Sequence, residues 1–298
     1  MPDRRPSLLD LKDISPNQIQ ILFQVADQIK SKKMAENVRS KVSALLFFEP
    51  STRTRFSFEM ASHRAGFAPL VFDGVNTSLE KGETIEDTIF NIAAMKPDVI
   101  VIRCGDQILL REIAKQIEVP ILNAGWGIQG HPTQALLDAL ALRSRWGELQ
   151  GKKLLIVGDV LHSRVAASHF ELMPKLGAEV GVCGPKFLLP DNKPVKTFEK
   201  LNEGLAWADA VMALRVQFER HHGEPSMNHN EYFENFGLNE MQLKNLKTQG
   251  LILHPGPINY GIEFEQKILS DPRCLVYSQV EHGTYVREAL FRWVAGEF

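Results

Sequence analysis

The segment "FFEPSTRTRFSFEM" (47–60) places two arginines and three hydroxyl residues in the five positions 51–55, directly after an apolar run. Such a set supplies hydrogen-bond donors and positive charge, the equipment for holding an anion. Pro50 disfavours helix at Glu49, so a helix is predicted to begin at about 51–53 with Ser51 or Thr52 as N-cap. Its backbone N–H groups and the positive end of its dipole, joined by Thr52, Arg53, Thr54 and Arg55, suit a phosphate. The competing reading is an ordinary capped helix with surface arginines. A P-loop is excluded, because no GxxxxGK[ST] occurs.

Four further clusters carry chemistry. In "GIQGHPTQALLDAL" (127–140) a Gly-rich turn leads into His131 and Pro132, with Gln134 three positions on. His131 and Gln134 then share a face near a helix N-terminus, where they can polarise a carbonyl or hold an amide; a buried histidine capping its own helix would give the same pattern. "LLIVGDVLHSRVAASHF" (154–170) has the strand–turn–helix order of a dinucleotide fold, but one glycine in the turn is too few for GxGxxG, which excludes an NAD or FAD fingerprint. Arg164 remains, at a helix start beyond a strand end. Arg215 and Gln217 leave a second strand in the same way, and "LHPGPINYG" (253–261) leaves a third. Single arginines at such places are often surface ion pairs, whereas their recurrence at strand ends fits a carboxylate site.

These clusters need elements to position them. Continuous apolar runs at 43–48, 68–73, 98–104, 119–124, 152–159, 179–184, 209–215, 251–255 and 274–280 read as strands. Helical patterns fill 16–30, 54–65, 84–95, 107–117, 132–146, 164–176 and 239–248, with a last helical stretch at the C-terminal end. Unbroken apolar strands alternating with helices predict an α/β protein of two domains, each a mostly parallel sheet flanked by helices, joined by interdomain helices. The length of 298 residues agrees with two domains, and 44% hydrophobic against 23% charged residues permits a substantial core. The polar stretch 216–238 reads as a long loop with short helical turns. It holds His221, His222 and His229, whose spacing fits no zinc pattern, so no metal is expected.

A formal net charge of −2 supplies no field toward nucleic acid or membrane, and no apolar run reaches the length of a membrane span. Cys104, Cys183 and Cys274 are dispersed and odd in number, which reads as reduced thiols. With a charged N-terminal stretch lacking an apolar h-region, the expected location is cytoplasmic.

Taken together, "FFEPSTRTRFSFEMA", "SLEKGETIEDT", "VIRC", "NAGWGIQGHPTQALLD", "GDVLHSRVA", "ALRVQFER" and "HPGPINYGIE" resemble the aspartate carbamoyltransferase catalytic chain, within the aspartate/ornithine carbamoyltransferase superfamily. They stand in family order over residues 45–265, and the HCLP and SMG segments of ornithine-specific relatives do not occur. The resemblance implies a carbamoyl phosphate-binding domain at 1–130, with the C-terminal helix 283–298 packing back on it, and an aspartate-binding domain at 131–282. It implies transfer of the carbamoyl group of carbamoyl phosphate to L-aspartate, without a cofactor, as an early step of pyrimidine synthesis. By matching motif, Ser51, Thr52, Arg53 and Thr54 would grip the phosphate, and Arg103, His131 and Gln134 the carbamoyl group. Arg53, Arg103 and His131 would be the catalytic set. Arg164, Arg215 and Gln217 would bind aspartate with Lys81, and Gly256 and Pro257 would belong to the domain-closure loop. Ser78 and Lys81 match residues that reach into a neighbouring subunit's site, which implies a homotrimer, with larger assemblies with a regulatory chain or dihydroorotase left open.

Elementary chemistry agrees with that allocation. Attack of an amine on the carbonyl creates an oxyanion while phosphate leaves with growing charge, and both events call for preorganised positive donors. No GxSxG nucleophile is present. Four positions depart from the family pattern: Trp126 and Tyr260 where Asp and Arg are usual, Ala167 in place of Arg, and His282 in place of Asn. None removes a ligand carried over above. Tyr260 and Trp126 motivate a carbamoyltransferase with a different amine acceptor as the second reading, and a non-catalytic anion-binding subunit is the third.

Overall fold

The computed structural model describes residues 6–31, 41–72, 78–105, 108–191, 195–216 and 227–298. It divides into two compact units, Met1–Leu137 with Val280–Phe298, and Asp138–Gln279. No helix among the described residues is long and apolar enough to cross a membrane.

The first unit carries β1 (Lys41–Phe47), β2 (Phe67–Phe72), β3 (Val99–Cys104) and β4 (Ile121–Trp126) in one sheet of order β2-β1-β3-β4. Every pairing is parallel. β3 reads "VIVIRC" and is buried throughout except at Arg103, the pattern of a strand covered on both faces. Around it run α1 (Pro16–Lys30), α2 (Thr52–Arg64), α3 (Ile85–Ala94) and α4 (Leu110–Gln116). Their starts follow local chemistry. Ser15 and Gln18 form a capping box ahead of Pro16, and Thr84 accepts the Asp87 N–H. The core gathers Ala44, Leu46, Ile89, Ile100, Ile102 and Ile113.

The second unit carries β5 (Lys153–Val157), α6 (Arg164–Lys175), β6 (Glu179–Cys183), β7 (Lys196–Phe198), α7 (Leu201–Trp207), β8 (Ala210–Ala213), α8 (His229–Phe236) and β9 (Leu251–Leu253). Its sheet has the order β7-β6-β5-β8-β9, again all parallel. Two helices, α5 (Pro132–Trp146) and α9 (Val276–Val294), contribute residues to both units. In each sheet the strand order reverses once, between β1 and β3 and between β5 and β8. Such reversals open a crevice at the carboxyl ends of the strands.

Two expected elements are corrected. The run 274–280, predicted as a strand, begins α9 at Val276, with Cys274 making only an isolated bridge to Ile252. Leu275 and Gln279 are buried while Tyr277 and Val280 are exposed, and burial four positions apart is a helical period that the β-prone residue types hide. The pattern at 239–248, predicted as a helix, yields only a 3-10 turn at Gln242–Asn245, because the chain is already extended at Leu246, which is buried there beside Leu243. Two short elements, β7 and α7, had no separate signal, and α8 falls within the stretch read as a loop with short helical turns. In α7 the central Gly204 obscures the helical pattern; a Cβ there would lie 2.9 Å from Leu155 on β5.

Candidate active site

In the first unit β1 and β3 run side by side with Phe47 opposite Arg103. The chain leaving β1 therefore passes the end of β3. The Phe48 N–H donates to the Arg103 carbonyl (2.9 Å), and Glu49 Oε2 stands 3.7 Å from Arg103 Nε. Arg103 Nη1 also donates to the Ala124 carbonyl on β4 (3.4 Å), which holds the guanidinium along the carboxyl edge of the sheet. Ser51 is the N-cap of α2, in extended conformation, and its side chain takes no bond from the first helical turn. Thr52 and Arg53 are exposed, Thr54 is buried, and the Arg55 guanidinium lies 5.6 Å from the Phe56 ring.

β4 leads through a tight turn, closed by the Trp126 N–H to the Gly130 carbonyl (2.9 Å), into His131. The His131 carbonyl accepts the Gln134 N–H (3.0 Å), so α5 starts directly behind it; both side chains are buried. Ser78 and Lys81 bound a 3-10 turn, with Lys81 exposed.

One residue that the motifs did not single out ties these two helix starts together. Arg287 on α9 donates from Nη1 to Ser57 Oγ on α2 (2.6 Å) and from Nη2 to Thr133 Oγ1 on α5 (3.5 Å). Its guanidinium also lies 5.0 Å from the Phe58 ring. The close pass needs a glycine one turn earlier: a Cβ at Gly283 would lie 2.8 Å from Arg287 Nη1 and 3.1 Å from Leu137 Cδ2. Arg287 stands in "YVREALF" (285–291), a charged residue among mostly apolar neighbours, and that was the available signal.

In the second unit Arg164 is the first residue of α6, Arg215 lies two residues beyond the end of β8, and the 254–260 segment follows β9. Because β5, β8 and β9 are consecutive in the sheet, all three fall on one carboxyl edge. Gln217 lies outside the described residues, as do His221 and His222, while His229 opens α8. The turn into α6 is braced from within. His162 donates from its backbone N–H (3.3 Å) and from Nδ1 (2.8 Å) to Asp159 Oδ1, and Asp159 is fully buried.

Beneath this edge lies the Tyr232 phenol from α8. A Cβ at Gly158 would come within 2.9 Å of its hydroxyl and 3.0 Å of the Leu214 carbonyl, and the φ of +120° there also favours glycine. Burial, reinforced by the nearby carboxylates of Glu263 and Asp159, pushes the Tyr232 phenol well above its ordinary range, so it stays neutral. Gly256 has φ +68° and joins Pro257 through a cis bond.

The departures from the family pattern have places as well. Trp126 packs against the first unit's core. His282 is buried and its Nε2 accepts from Lys30 Nζ at 3.3 Å, tying α9 to α1. Ala167 is half-buried in α6, and Tyr260 is exposed.

Comparison with known proteins gives consistent matches. Residues 6–144 match the aspartate/ornithine carbamoyltransferase carbamoyl-P binding domain, and residues 150–294 match the Asp/Orn binding domain of the same family. The chain is 40% identical to the aspartate carbamoyltransferase catalytic subunit of Christiangramia forsetii, over 97% of this chain and 96% of that one. It is 42% identical to the corresponding subunit of Gemmatimonas aurantiaca, over 97% and 93%. Among solved structures, it resembles the aspartate transcarbamoylase of Trypanosoma cruzi in complex with carbamoyl phosphate and aspartate, with a TM-score of 0.87 and 26% identity over 98% of this chain and 97% of that one. It also resembles the ornithine carbamoyltransferase of Thermus thermophilus, with a TM-score of 0.84 and 28% identity over 97% and 99%.

Proposed function

The chain belongs to the aspartate/ornithine carbamoyltransferase family, and from that premise we propose that it carbamoylates L-aspartate. The amine nitrogen of aspartate attacks the carbonyl carbon of carbamoyl phosphate, the bond from that carbon to the phosphate oxygen breaks, and the nitrogen loses a proton. The products are N-carbamoyl-L-aspartate and phosphate, and the step belongs to pyrimidine synthesis. The observation that carries this reading is the placement of two donor sets on the carboxyl edges of two parallel sheets. One set, at α2 and Arg103, suits phosphate and carbonyl oxygen. The other, Arg164 and Arg215, suits carboxylates.

In this assignment Ser51, Thr52, Arg53 and Thr54 receive the phosphate at the N-terminus of α2, where backbone N–H groups add to the side chains. Arg103 and His131, with Gln134, hold the carbamoyl group and stabilise the oxyanion that forms on its oxygen. Arg164, Arg215 and Gln217 receive aspartate with Lys81, and the 256–257 segment closes over it. Residues 1–130 with helix 283–298 form the carbamoyl phosphate domain, and 131–282 the aspartate domain. The working unit is a homotrimer in which Ser78 and Lys81 serve a neighbour's site. An apolar surface supports it: Phe56 and Met60 on α2 are 57% and 47% exposed, and Leu70 and Val71 on β2, an edge strand, 60% and 42%. A cytoplasmic location agrees with three free thiols, two of them buried; burial pushes Cys183 up to about 12.

The test is an assay of the purified protein with carbamoyl phosphate and a panel of amino acids that includes aspartate and ornithine. Carbamoyl-aspartate as the product is expected. Product from another amine alone moves the chain to a different acceptor, and no carbamoyl product from any acceptor overturns the reading.

A further inference from the structure

Within the second unit a line of buried polar groups runs from the first turn of α6 to the segment after β9, and the direction of the bonds made by Gln279 and His254 follows from their partners. Asp138 on α5 and Gln279 at the start of α9, 141 positions apart, meet in a 2.7 Å bond from Gln279 Nε2 to Asp138 Oδ1. The other end of the Gln279 amide fixes that orientation, because its Oε1 accepts the His254 N–H at 3.0 Å. A flipped amide would set oxygen against carboxylate and N–H against N–H.

On the α6 side, Asp138 Oδ2 faces His169 Nε2 at 3.3 Å, and His169 Nδ1 donates to the Val165 carbonyl at 2.8 Å. Val165 is the neighbour of Arg164. On the other side, His254 Nδ1 accepts the Gly256 N–H at 2.8 Å, which leaves the ring hydrogen on Nε2. That nitrogen donates to Glu263 Oε1 at 3.3 Å, and the same oxygen accepts the Asn259 N–H at 2.6 Å. Asp138 and His169 are 0% exposed, His254 and Gln279 2%, and Glu263 1%. In such surroundings an unmet donor or acceptor carries its full desolvation cost, so the Gln279 amide and the His254 ring between Asp138 and Glu263 are held in one arrangement.

We infer that Asp138, Gln279, His169 and His254 form a positioning relay for the acceptor amino acid. They hold the first turn of α6, with Arg164, and the 254–263 segment, with Gly256 and Pro257, as one piece. None of the four is among the residues assigned to substrate. The inference rests on the reading that Arg164 and the 256–257 segment meet aspartate. It adds that their mutual placement is set through the core by the Asp138–Gln279 bond rather than by either surface segment.

The experiment reverses that bond. Gln279→Glu sets a carboxylate against Asp138 and should raise the KM for aspartate about tenfold, the scale of one buried polar mismatch, with the KM for carbamoyl phosphate within about twofold. Asp138→Asn with Gln279→Glu restores a donor–acceptor pair in the opposite sense: the amide introduced on α5 would donate to the carboxylate introduced on α9, which still accepts from the His254 N–H. The aspartate KM should return to within about threefold of wild type.

An unchanged aspartate KM in folded Gln279→Glu, equal movement of both KM values, or no recovery in the double variant overturns the relay. If Gln279→Glu does not fold, Gln279→Met breaks the same bond without adding charge. It should raise the aspartate KM several-fold, and an unchanged value overturns the relay. Wild type in the same assay separates the two readings. No product from it overturns the proposed activity, whereas an active wild type beside an indifferent variant overturns the relay alone.

Discussion

The first turns of α2 and α6 begin alike and are finished differently. Each follows a parallel strand at the point where its sheet reverses order, each has a serine at the N-cap, and each carries an arginine at once. At α6 the Ser163 hydroxyl accepts the Ala166 N–H (3.2 Å), so the helix meets one of its own open donors. At α2 the Ser51 side chain accepts nothing from the first turn, so that turn keeps its open donors at the positive end of the dipole without a serine cap. The difference matches the anion each turn is assigned. A phosphate has several oxygens and can use backbone donors together with hydroxyls and Arg53. A carboxylate is met in full by one guanidinium fork, so α6 needs only to aim Arg164.

Supports behind the two turns differ as well. α2 is steadied against α5 by Arg287 through Ser57 and Thr133, whereas behind α6 His169 faces Asp138 at 3.3 Å. The sharpest way to break the comparison is Arg53→Ala, which removes the guanidinium from the phosphate turn. A loss of kcat/KM of about a thousandfold is expected, the scale of a lost preorganised electrostatic donor, and near-normal steady-state kinetics would refute the phosphate role. Next in size is Arg287→Met, which leaves the phosphate donors in place and removes their support. Denaturant unfolding should show a loss of about 2 kcal/mol, and the KM for carbamoyl phosphate should rise while the aspartate KM holds. Movement of the aspartate KM alone would show that Arg287 serves the other turn.

The two turns also differ in how far the amino-acid sequence exposed them. Pro50 and the density of donors at 51–55 placed the start of α2 to within a residue, because capping and dipole chemistry are local. Arg164 and Arg215 were legible as strand-end residues, since continuous apolar runs marked β5 and β8. What joins the helices behind them was not legible. Arg287 meets a residue 230 positions away, and Gln279 one 141 positions away, and no spacing rule reaches that far. Gln279 was hidden twice over, because the run 274–280 reads as a strand until burial at Leu275 and Gln279 reveals a helix. A charged residue inside "ALLDALAL" and a histidine in the apolar face of α6 were the only local marks of the relay, and each equally fits an ordinary buried polar residue.

The smallest change gives the cleanest contrast, because it alters one oxygen atom at equivalent places. Ser163→Ala removes the acceptor of the Ala166 N–H and should cost about 1 kcal/mol of stability, the usual worth of an N-cap side chain. Ser51→Ala removes a hydroxyl that caps nothing, so its unfolding free energy should stay within a few tenths of a kcal/mol of wild type. In steady-state kinetics the order inverts. Ser51→Ala should raise the KM for carbamoyl phosphate several-fold if the hydroxyl serves the phosphate as proposed, while Ser163→Ala should leave that KM where it was. Equal stability losses in the two variants would mean that Ser51 is an ordinary cap, and the division of labour between the two turns would then fail at its first residue.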